Sequence, residues 1–378
     1  MKVVVAIDSL KGSMTSMEAG RAIKEGILNV LPDTEVIVKP LADGGEGTTE
    51  ALAEGLGGEM VTVDVHGPLE TRLQASYGMI RETGTAIMEM AAASGIILVG
   101  KDKRPLDATT YGVGEMIKDA IQKGCRNFII GIGGSATNDG GIGMLTALGY
   151  EFLDAEGKAA GIGAGALSHV ASIKKDHVLP ELKECSFKIA CDVTNPLCGT
   201  NGATYIYGPQ KGVTEDMRDD LDAAMANYAK VTRECMGTDH MESEGAGAAG
   251  GLGFAFLSYL NGDLQPGIEL VLDAVEMEKT MEGADLVFTG EGRLDYQTAM
   301  GKAPVGIAKL AKKHGAKVVA LAGAVIEGAE KCNENGIDAF FPILRKIVTL
   351  DEAMEPETAR QNMVKTTEQI MRLTAALW

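Results

Sequence analysis

The chain has 378 residues and a formal net charge of −18. A surface this acidic repels phosphate backbones, so nucleic acids and anionic membranes are poor candidates for partners, although solubility alone also explains most of the charge. The length predicts two or three domains, because single hydrophobic cores rarely grow past about 250–300 residues. Hydrophobic residues make up 45% of the chain and aromatic residues only 4%, so we expect aliphatic cores.

The cysteine and histidine pattern argues against a zinc site and against a disulfide framework. None of the six cysteines forms a C-x-x-C pair, and the five histidines are scattered. The first residues lack a signal-peptide pattern, because Asp8 ends a very short apolar run. No stretch reaches the roughly 18 apolar residues of a transmembrane helix. These features predict a cytoplasmic protein.

The N-terminal residues alternate predicted strands and helices. Residues 3–7 form an apolar, β-branched run, which is typical of a buried parallel strand. Thr15 and Glu18 have the spacing of a capping box, and the helix that follows ends at Pro32. This β-α-β-α-β order predicts parallel strands with right-handed crossovers. The later elements are a strand at 35–39, a helix to about Leu56 and a strand at 61–65.

The C-terminal residues show the same alternation of apolar runs and polar loops. The two ends of the chain are therefore expected to share one doubly wound sheet. The predicted elements are a strand at 285–289, a polar loop at 290–302, a helix from near Pro304 to just before Gly315, strands at 317–321 and 339–343, and a closing helix at 354–377, interrupted near Pro356.

The middle of the chain has a different pattern. Apolar runs at 73–80 and 85–90 are joined by Arg81-Glu82-Thr83-Gly84, which indicates a hairpin and hence a mixed or antiparallel sheet. We therefore predict an α/β protein of two α/β domains. A doubly wound Rossmann/flavodoxin-like domain consists of residues 1–66 and 284–378, and a mixed-sheet domain of residues 67–283 is inserted into it.

A glycine-containing loop follows the first predicted strand. Lys11-Gly12-Ser13 offers a cation, a flexible backbone and a hydroxyl directly before a helix, where anions are favoured. An ordinary strand-to-helix turn with a solvated lysine explains the motif equally well. Lys11 and Ser13 are therefore candidates for ligand binding, with this alternative open.

Two carboxylates lie in the glycine loop after the second predicted strand. Asp43-Gly44-Gly45-Glu46-Gly47 could hold Mg²⁺, which prefers a few carboxylates, waters and substrate phosphates. If the motif stood alone, helix capping by Asp43 or Thr48 would be the better interpretation.

The most informative glycine-rich stretch is residues 131–141, which read Gly-Ile-Gly-Gly-Ser-Ala-Thr-Asn-Asp-Gly-Gly. It follows an apolar strand and precedes a helical pattern. Backbone N–H groups without Cβ obstruction, together with hydroxyl and amide side chains, can surround phosphates. A turn that serves structure alone has no need of so many glycines and small polar residues, so function is the better interpretation.

Two nucleotide-binding fingerprints are excluded. Residues 245–250 match G-x-G-x-x-G by spacing, but residues 241–244 before them do not form a strand, so a dinucleotide site lacks its context. The chain has no G-x-x-x-x-G-K-[ST] segment, because Gly301-Lys302 is followed by Ala303 and lacks the upstream glycine. We expect neither a Rossmann NAD site nor a P-loop.

Two further loops place charges after predicted strands. Asp192 follows the apolar run at 187–191 and precedes Asn195-Pro196, and residues 289–302 mix acidic and basic side chains. Phosphoryl transfer needs cations for the developing phosphate charge, carboxylates for Mg²⁺ and one carboxylate near the acceptor hydroxyl. A surface loop of salt bridges is the alternative for 289–302, which its glycines and the preceding apolar strand disfavour.

Taken together, these motifs resemble the bacterial glycerate kinase family. The resemblance implies ATP-dependent phosphorylation of D-glycerate, with 2-phosphoglycerate the favoured product, and two α/β domains with a cleft between them. A kinase for another small hydroxy acid and a non-catalytic sensor of a sugar acid or nucleotide stay as alternatives, because specificity depends on the shape of the pocket. The matching segments are 6–13, 42–48, 133–141, 191–197, 245–251 and 290–302.

Candidate roles follow from the residues themselves. Asp192 is the candidate base and Asp295 the second choice, since no histidine lies in a glycine-rich loop at a strand end; capping of the following turn is a nearly equal alternative for Asp192. Lys11 and Arg293 are the candidate catalytic cations. The candidate ligands of Mg²⁺ are Asp43, Glu46, Glu291 and Asp295. The candidate contacts for substrate and phosphate are Ser13, Gly133, Gly134, Ser135, Asn138, Asn195, Gln297 and Lys302.

Overall fold

A computed structural model describes residues 1–45, 47–69 and 71–377. The candidate Mg²⁺ ligand Glu46 lies outside the described residues. No helix in the described part of the chain is long and apolar enough to cross a membrane. The chain divides into two compact units: Met1–Asp43, Glu50–Gly57 and Val271–Trp378 form the first, and Gly44–Thr49 and Gly58–Leu270 form the second.

Strands and helices are numbered in chain order. The strands are β1 (Lys2–Val5), β2 (Glu35–Val38), β3 (Glu59–His66), β4 (Arg72–Ile80), β5 (Thr85–Glu89), β6 (Asn127–Gly131), β7 (Glu151–Leu153), β8 (Ser172–Lys174), β9 (Ser186–Ala190), β10 (Asp263–Gln265), β11 (Leu286–Leu294), β12 (Lys317–Val325) and β13 (Ala339–Pro342). The α-helices are α1 (Ser16–Leu28), α2 (Thr48–Gly55), α3 (Ala91–Ser94), α4 (Ile96–Val99), α5 (Tyr111–Gln122), α6 (Ile142–Ala147), α7 (Ala203–Tyr207), α8 (Glu215–Met236), α9 (Ala248–Tyr259), α10 (Gly267–Ala274), α11 (Met277–Met281), α12 (Tyr296–Ala299), α13 (Ala303–Lys313), α14 (Lys331–Glu334), α15 (Leu350–Met354) and α16 (Pro356–Leu377). Short 3-10 helices occupy Ala164–His169, Pro180–Glu184 and Pro209–Lys211.

The sheet of the first unit is parallel and doubly wound. Its strand order is β13-β12-β11-β1-β2, and each neighbouring pair is parallel. Counted from β2, this is the flavodoxin-like order 2-1-3-4-5, so the predicted fold class is confirmed. Val3 and Val4 point to opposite faces and are both completely buried, as expected where helices cover both sides. The order reverses between β1 and β11, whose carboxyl ends form the switch point where such sheets bind ligands.

Helix α1 begins at the predicted capping box and packs on α16. The Thr15 hydroxyl accepts a hydrogen bond from the Glu18 N–H, and the Glu18 carboxylate accepts one from the Thr15 N–H. Gly26 permits the close packing, because a Cβ there would lie 2.6 Å from the Val364 carbonyl oxygen. The core beneath the helices joins side chains of α1, β1, β11 and α16, so both ends of the chain stabilise one sheet.

The second unit contains a mixed sheet with the order β10-β9-β6-β5-β4-β3. The strands β5, β6, β9 and β10 are parallel neighbours, and β4 and β3 extend them with antiparallel pairing. The predicted hairpin of β4 and β5 is therefore confirmed. A separate antiparallel pair is formed by β7 and β8.

The structure differs from the prediction at β3. The sequence predicted a parallel strand at 61–65 in the first sheet, but β3 pairs antiparallel with β4 in the second sheet. The reason lies in its alternation of valines with Thr62 and Asp64, which is typical of a strand with one polar face. We therefore propose domain boundaries near residues 57 and 270, in place of 66 and 283, because β3 packs with the second unit.

The strand β11 is longer than predicted. The predicted loop at 290–302 begins inside β11, which stays parallel to β12 as far as Leu294. Gly290 is required there, because a Cβ would lie 1.8 Å from the Leu321 carbonyl oxygen. The polar residues Glu291 and Arg293 thus project from the end of a strand rather than from a loop, which fixes their backbone positions.

Candidate active site

A cavity of about 520 Å³ opens at the switch point of the first unit. Its lining comes from the segments after β1, β2, β11 and β13, from the ends of β11 and β12, and from α15. The structure therefore brings together charged residues that are far apart in the sequence. The candidates that line this cavity are Lys11, Ser13, Asp43, Glu291, Arg293, Asp295 and Lys302.

Backbone contacts fix the loop that carries Lys11. The Asp8 N–H donates to the Gly290 carbonyl at 2.9 Å, and the Ser13 N–H donates to the Leu10 carbonyl at 2.8 Å. Gly12 has a φ of +76°, and a Cβ there would lie 2.8 Å from the terminal methyl group of Met354. Glycine at this turn therefore lets α15 approach the Lys11 loop closely.

Asp8 is a cavity residue that the sequence analysis missed as a candidate. Burial, followed by the negative charges of Asp43 and Glu291, raises the pKa of Asp8 to about 7, although the Ser9 N–H and Lys11 oppose the shift. A carboxyl group that titrates near neutral pH can accept a proton efficiently. The signal that could have found it is its position directly after the first buried strand.

Two further carboxylates carry the acidic character of this cavity. Asp43 lines it, and Glu291 accepts a hydrogen bond from the Thr298 hydroxyl at 2.5 Å. Burial raises the pKa of Glu291, with Asp295 and Asp43 adding to the shift, while the Thr298 hydrogen bond and Lys302 oppose it. The negative charges of Asp295 and Asp43 therefore oppose the ionisation of Glu291.

Asp295 caps a helix, and its predicted role as a metal ligand stays a prediction. Its Oδ1 accepts from the Gln297 N–H at 2.8 Å and the Thr298 N–H at 3.3 Å. Its Oδ2 pairs with Arg293 Nε at 3.2 Å and Nη2 at 3.1 Å. Burial pushes the pKa of Asp295 up, but these partners and Lys302 outweigh it, and the net pKa is lowered. Asp295 therefore fixes the Arg293 guanidinium, and Gln297 serves the cap through its N–H.

The second unit has a cavity of its own, of about 380 Å³. It lies at the carboxyl ends of β5 and β6 and includes Gly133 and Gly134 together with Glu89 and the apolar residues of α4. Glu89 accepts a hydrogen bond from the Thr49 N–H at 3.0 Å. Among the described residues that line this cavity there is no lysine or arginine, so charge compensation for an anion would come from backbone N–H groups.

The rest of the stretch 131–141 lies inside the protein. Ser135 is 8% exposed and Asn138 is fully buried, and the Asn138 amide donates to the Thr204 hydroxyl at 3.0 Å. Buried Asp139 accepts hydrogen bonds from the Thr110 N–H and hydroxyl at 2.8 and 2.9 Å. Ser135 and Asn138, predicted to contact phosphate, are therefore buried in this structure, and the exposed part of the loop is Gly133-Gly134.

A buried lysine supports this loop from beneath. The Lys211 ammonium donates to the Thr137 carbonyl at 2.6 Å, and Lys211 is 1% exposed. Burial lowers the pKa of Lys211 to about 7, and the charge of Asp139 opposes the shift. The sequence analysis missed Lys211, because nothing in its local sequence shows that it is buried.

Lys211→Ala is expected to destabilise the protein strongly. The change leaves a cavity and removes the donor to a buried carbonyl, which together cost about 2–5 kcal/mol. The measurement is the free energy of unfolding in denaturant, with the exposed Lys230→Ala as control. A Lys211→Ala protein as stable as the control would show that the lysine does not support the loop.

Asp192 and Asn195 are both engaged in structural hydrogen bonds of the second unit. Asp192 Oδ1 accepts from the Gly267 N–H, at the start of α10, at 2.8 Å. This contact favours a capping role, although the capped residues are not the following turn that the sequence suggested. Asn195 accepts from the Tyr207 hydroxyl at 2.6 Å and donates to the Asn201 carbonyl at 2.8 Å, so its amide group is occupied within the protein.

Comparison with known proteins extends these observations to the whole chain. The model of the family described as "Glycerate kinase family" matches residues 3–375. A glycerate kinase of Bacillus subtilis (strain 168) is 46% identical over 356 residues, which cover 94% of this chain and 93% of the relative. The glycerate 2-kinase of Escherichia coli (strain K12) is 45% identical over 354 residues, which cover 93% of each chain.

A solved structure agrees with both the fold and the sequence matches. A crystal structure described as a glycerate kinase 2 from Salmonella typhimurium LT2 aligns with a TM-score of 0.91 at 42% identity. The alignment covers 100% of this chain and 98% of the other. The resemblance seen in the motifs is confirmed over nearly the full length, and the chain belongs to the glycerate kinase family.

Proposed function

We propose that this protein transfers the γ-phosphoryl group of ATP to the 2-hydroxyl of D-glycerate and forms 2-phosphoglycerate. The observation that carries the proposal is the first-unit cavity, which gathers three cations and four carboxylates at the switch point of a doubly wound sheet. The activities named for the relatives, glycerate kinase and glycerate 2-kinase, support the same reaction.

The cations of this cavity suit the charge that phosphoryl transfer develops. Lys11, Arg293 and Lys302 line one cavity, where they would offset the phosphate charge and the carboxylate of glycerate. Two contacts to Asp295 hold the Arg293 side chain. Arg293 therefore loses less conformational freedom when an anion binds. A protein of net charge −18 needs such a local basic group to bind a substrate that is itself an anion.

The acidic side chains of the same cavity fit a divalent cation. Besides burial, the charges of Asp43 and Glu291 raise the pKa of Asp8, and the charge of Asp43 also raises the pKa of Glu291. A bound cation would offset this repulsion and favour the ionised carboxylates. Among the described residues, no group of three or more acidic, histidine or cysteine side chains has the geometry of a closed metal site. Mg²⁺ does not need one, since it is commonly held by one or two carboxylates plus waters and substrate phosphates.

Asp43 and Glu291 would hold Mg²⁺. A further candidate ligand, Glu46, lies outside the described residues. When bound, the ion would neutralise phosphate charge. We expect excess EDTA to abolish turnover, and Asp43→Asn to raise the Mg²⁺ concentration needed for half-maximal rate. The exposed Asp33→Asn is the matched control. Full turnover in excess EDTA would show that the reaction does not require a divalent cation.

We assign the proton acceptor to Asp8, with Asp192 as the second candidate. Asp8 lies in the cavity beside the candidate cations, and its pKa of about 7 suits proton transfer at neutral pH. Asp192 already accepts a hydrogen bond from the Gly267 N–H, which fits its capping alternative.

A coupled assay of ADP formation across a panel of small hydroxy acids tests the function. We expect D-glycerate to give the highest kcat/KM. A higher value for another hydroxy acid would identify a different kinase, and tight binding of glycerate or ATP without turnover would identify a sensor.

A further inference from the structure

We propose that the first-unit cavity is the nucleotide site, with the nucleobase against an apolar wall and the phosphates among its cations. The apolar wall consists of Ile343, Leu344, Leu350, Ala353 and Met354. The inference rests on the proposed function, which places the reacting phosphate among the cations of this cavity but does not say where the nucleoside binds.

Three of the five residues of the apolar wall lie on one face of a short helix. Leu350, Ala353 and Met354 of α15 have the spacing i, i+3 and i+4, which places them on the same side of a helix. The helix is anchored by a capping box, in which the Thr349 hydroxyl accepts from the Glu352 N–H and the Glu352 carboxylate accepts from the Thr349 N–H. The helix therefore fixes the positions of these three side chains relative to one another.

Large apolar side chains of this wall are exposed. Leu350 is 71% exposed and Leu344 is 38% exposed, whereas Ile343 beneath them is buried. Covering such side chains with a flat apolar group is favourable, at roughly 25 cal/mol for each Å² removed from water. A purine ring has the flat apolar faces that this surface would cover.

The other side of the same cavity carries the charges that a polyphosphate needs. Lys11, Arg293 and Lys302 contribute three cations. Met354 connects the two sides, because its terminal methyl group reaches the turn at Gly12 beside Lys11. A ligand with one apolar end and one highly anionic end therefore matches the lining, and a nucleoside triphosphate is such a ligand.

Size and charge favour this cavity over that of the second unit. At about 520 Å³ it falls in the range of roughly 300–1,000 Å³ that holds drug-sized ligands, and glycerate alone would leave most of it empty. The second-unit cavity measures about 380 Å³ and has no lysine or arginine among its described lining residues. A triphosphate there would lack side-chain cations.

The test is the affinity for Mg-ADP, measured by calorimetry without glycerate, in Leu350→Asp and in the control Leu373→Asp. Both leucines are exposed, at 71% and 58%, and Leu373 is not part of the cavity lining. Leu350→Asp is expected to raise the Kd of ADP about tenfold or more, because it replaces an apolar contact to the nucleobase by a charged side chain. The KM for glycerate should change less than about twofold.

If Leu350→Asp leaves the affinity for ADP unchanged, or changes only the KM for glycerate, the nucleotide assignment is wrong. Light-induced labelling with 8-azido-ADP gives a second readout on the unaltered protein. The label is expected in the peptide that contains residues 343–354, and labelling confined to the second unit would contradict the proposal. Because ADP binding needs no turnover, a protein that binds ADP here but does not phosphorylate glycerate would refute the proposed function alone.

Discussion

Asp8→Asn is expected to lower kcat by about 10²–10⁴-fold, the contribution typical of a positioned proton acceptor. Asparagine keeps the size of the side chain but cannot take the proton of the acceptor hydroxyl. In the unaltered protein, kcat/KM should fall as the pH drops through about 7, because Asp8 becomes protonated. This acid limb should be missing from the pH profile of Asp8→Asn.

The same variant should be more stable than the unaltered protein at pH 8, in the absence of divalent cations. The folded-state pKa of Asp8, about 7, lies above the ordinary value of 3.8. Its contribution to stability is therefore fully present below pH 4 and is lost as the pH rises through 7. Each tenfold change in the acid dissociation constant between the unfolded and folded states corresponds to about 1.4 kcal/mol. Asp8→Asn removes this loss, and thermal unfolding at pH 5 and pH 8 measures the difference.

Asp192→Asn is the matched comparison for the catalytic readout. If Asp192 only caps α10, this variant should retain most of its kcat and nearly all of its stability, because the amide oxygen of asparagine can accept the same hydrogen bond from the Gly267 N–H. The opposite result would contradict the assignment to Asp8. If Asp192→Asn is folded but loses about 10²–10⁴-fold in kcat, and Asp8→Asn stays nearly fully active, then Asp192 is the base.

Arg293→Ala and Lys11→Ala are each expected to lower kcat/KM at least about tenfold, a loss of roughly 1.4 kcal/mol in transition-state stabilisation. Both side chains line the cavity with Lys302, where phosphate charge has to be offset. Arg293→Ala also leaves Oδ2 of Asp295 without its cation, so its effect should be the larger of the two.

Arg21→Ala is a suitable control for these changes. Arg21 forms an exposed ion pair with Glu54 at 2.7 Å and does not line the cavity, so kcat/KM should be unaffected. If Arg293→Ala and Lys11→Ala both stay within about twofold of the unaltered enzyme, these cations do not act on the reacting phosphate.

Much of the fold follows from patterns that local sequence carries. The apolar run at 3–7 and the capping spacing of Thr15 and Glu18 predicted β1 and α1, because burial on both faces and helix capping leave local signatures. The pairing of β3 was predicted wrongly. The choice of partner strand is a tertiary property. The alternation of Val61, Val63 and Val65 with polar residues indicated a strand with one polar face, but not its pairing with β4.

The candidate site was predictable where charged residues follow strands of the same sheet. Lys11, Asp43 and Glu291 come from separate segments and line one cavity, as the carboxyl-end rule for parallel sheets indicates. For Asn138 the predicted phosphate contact stays a prediction, since sequence cannot separate a glycine loop that faces a ligand from one whose polar side chains serve its own interior. The pKa of Asp8 depends on burial and on Asp43 and Glu291, which only the fold brings near it.

Proton-coupled ³¹P NMR of the product formed from ATP and D-glycerate tests the central claim most directly. Phosphorylation of the 2-hydroxyl places one proton on the carbon that bears the ester, so the new phosphate signal should be a doublet. Phosphorylation of the 3-hydroxyl would place two protons there and give a triplet. We expect the doublet; a triplet, or no new phosphate ester beside ADP, would contradict the assignment of this chain as a glycerate 2-kinase.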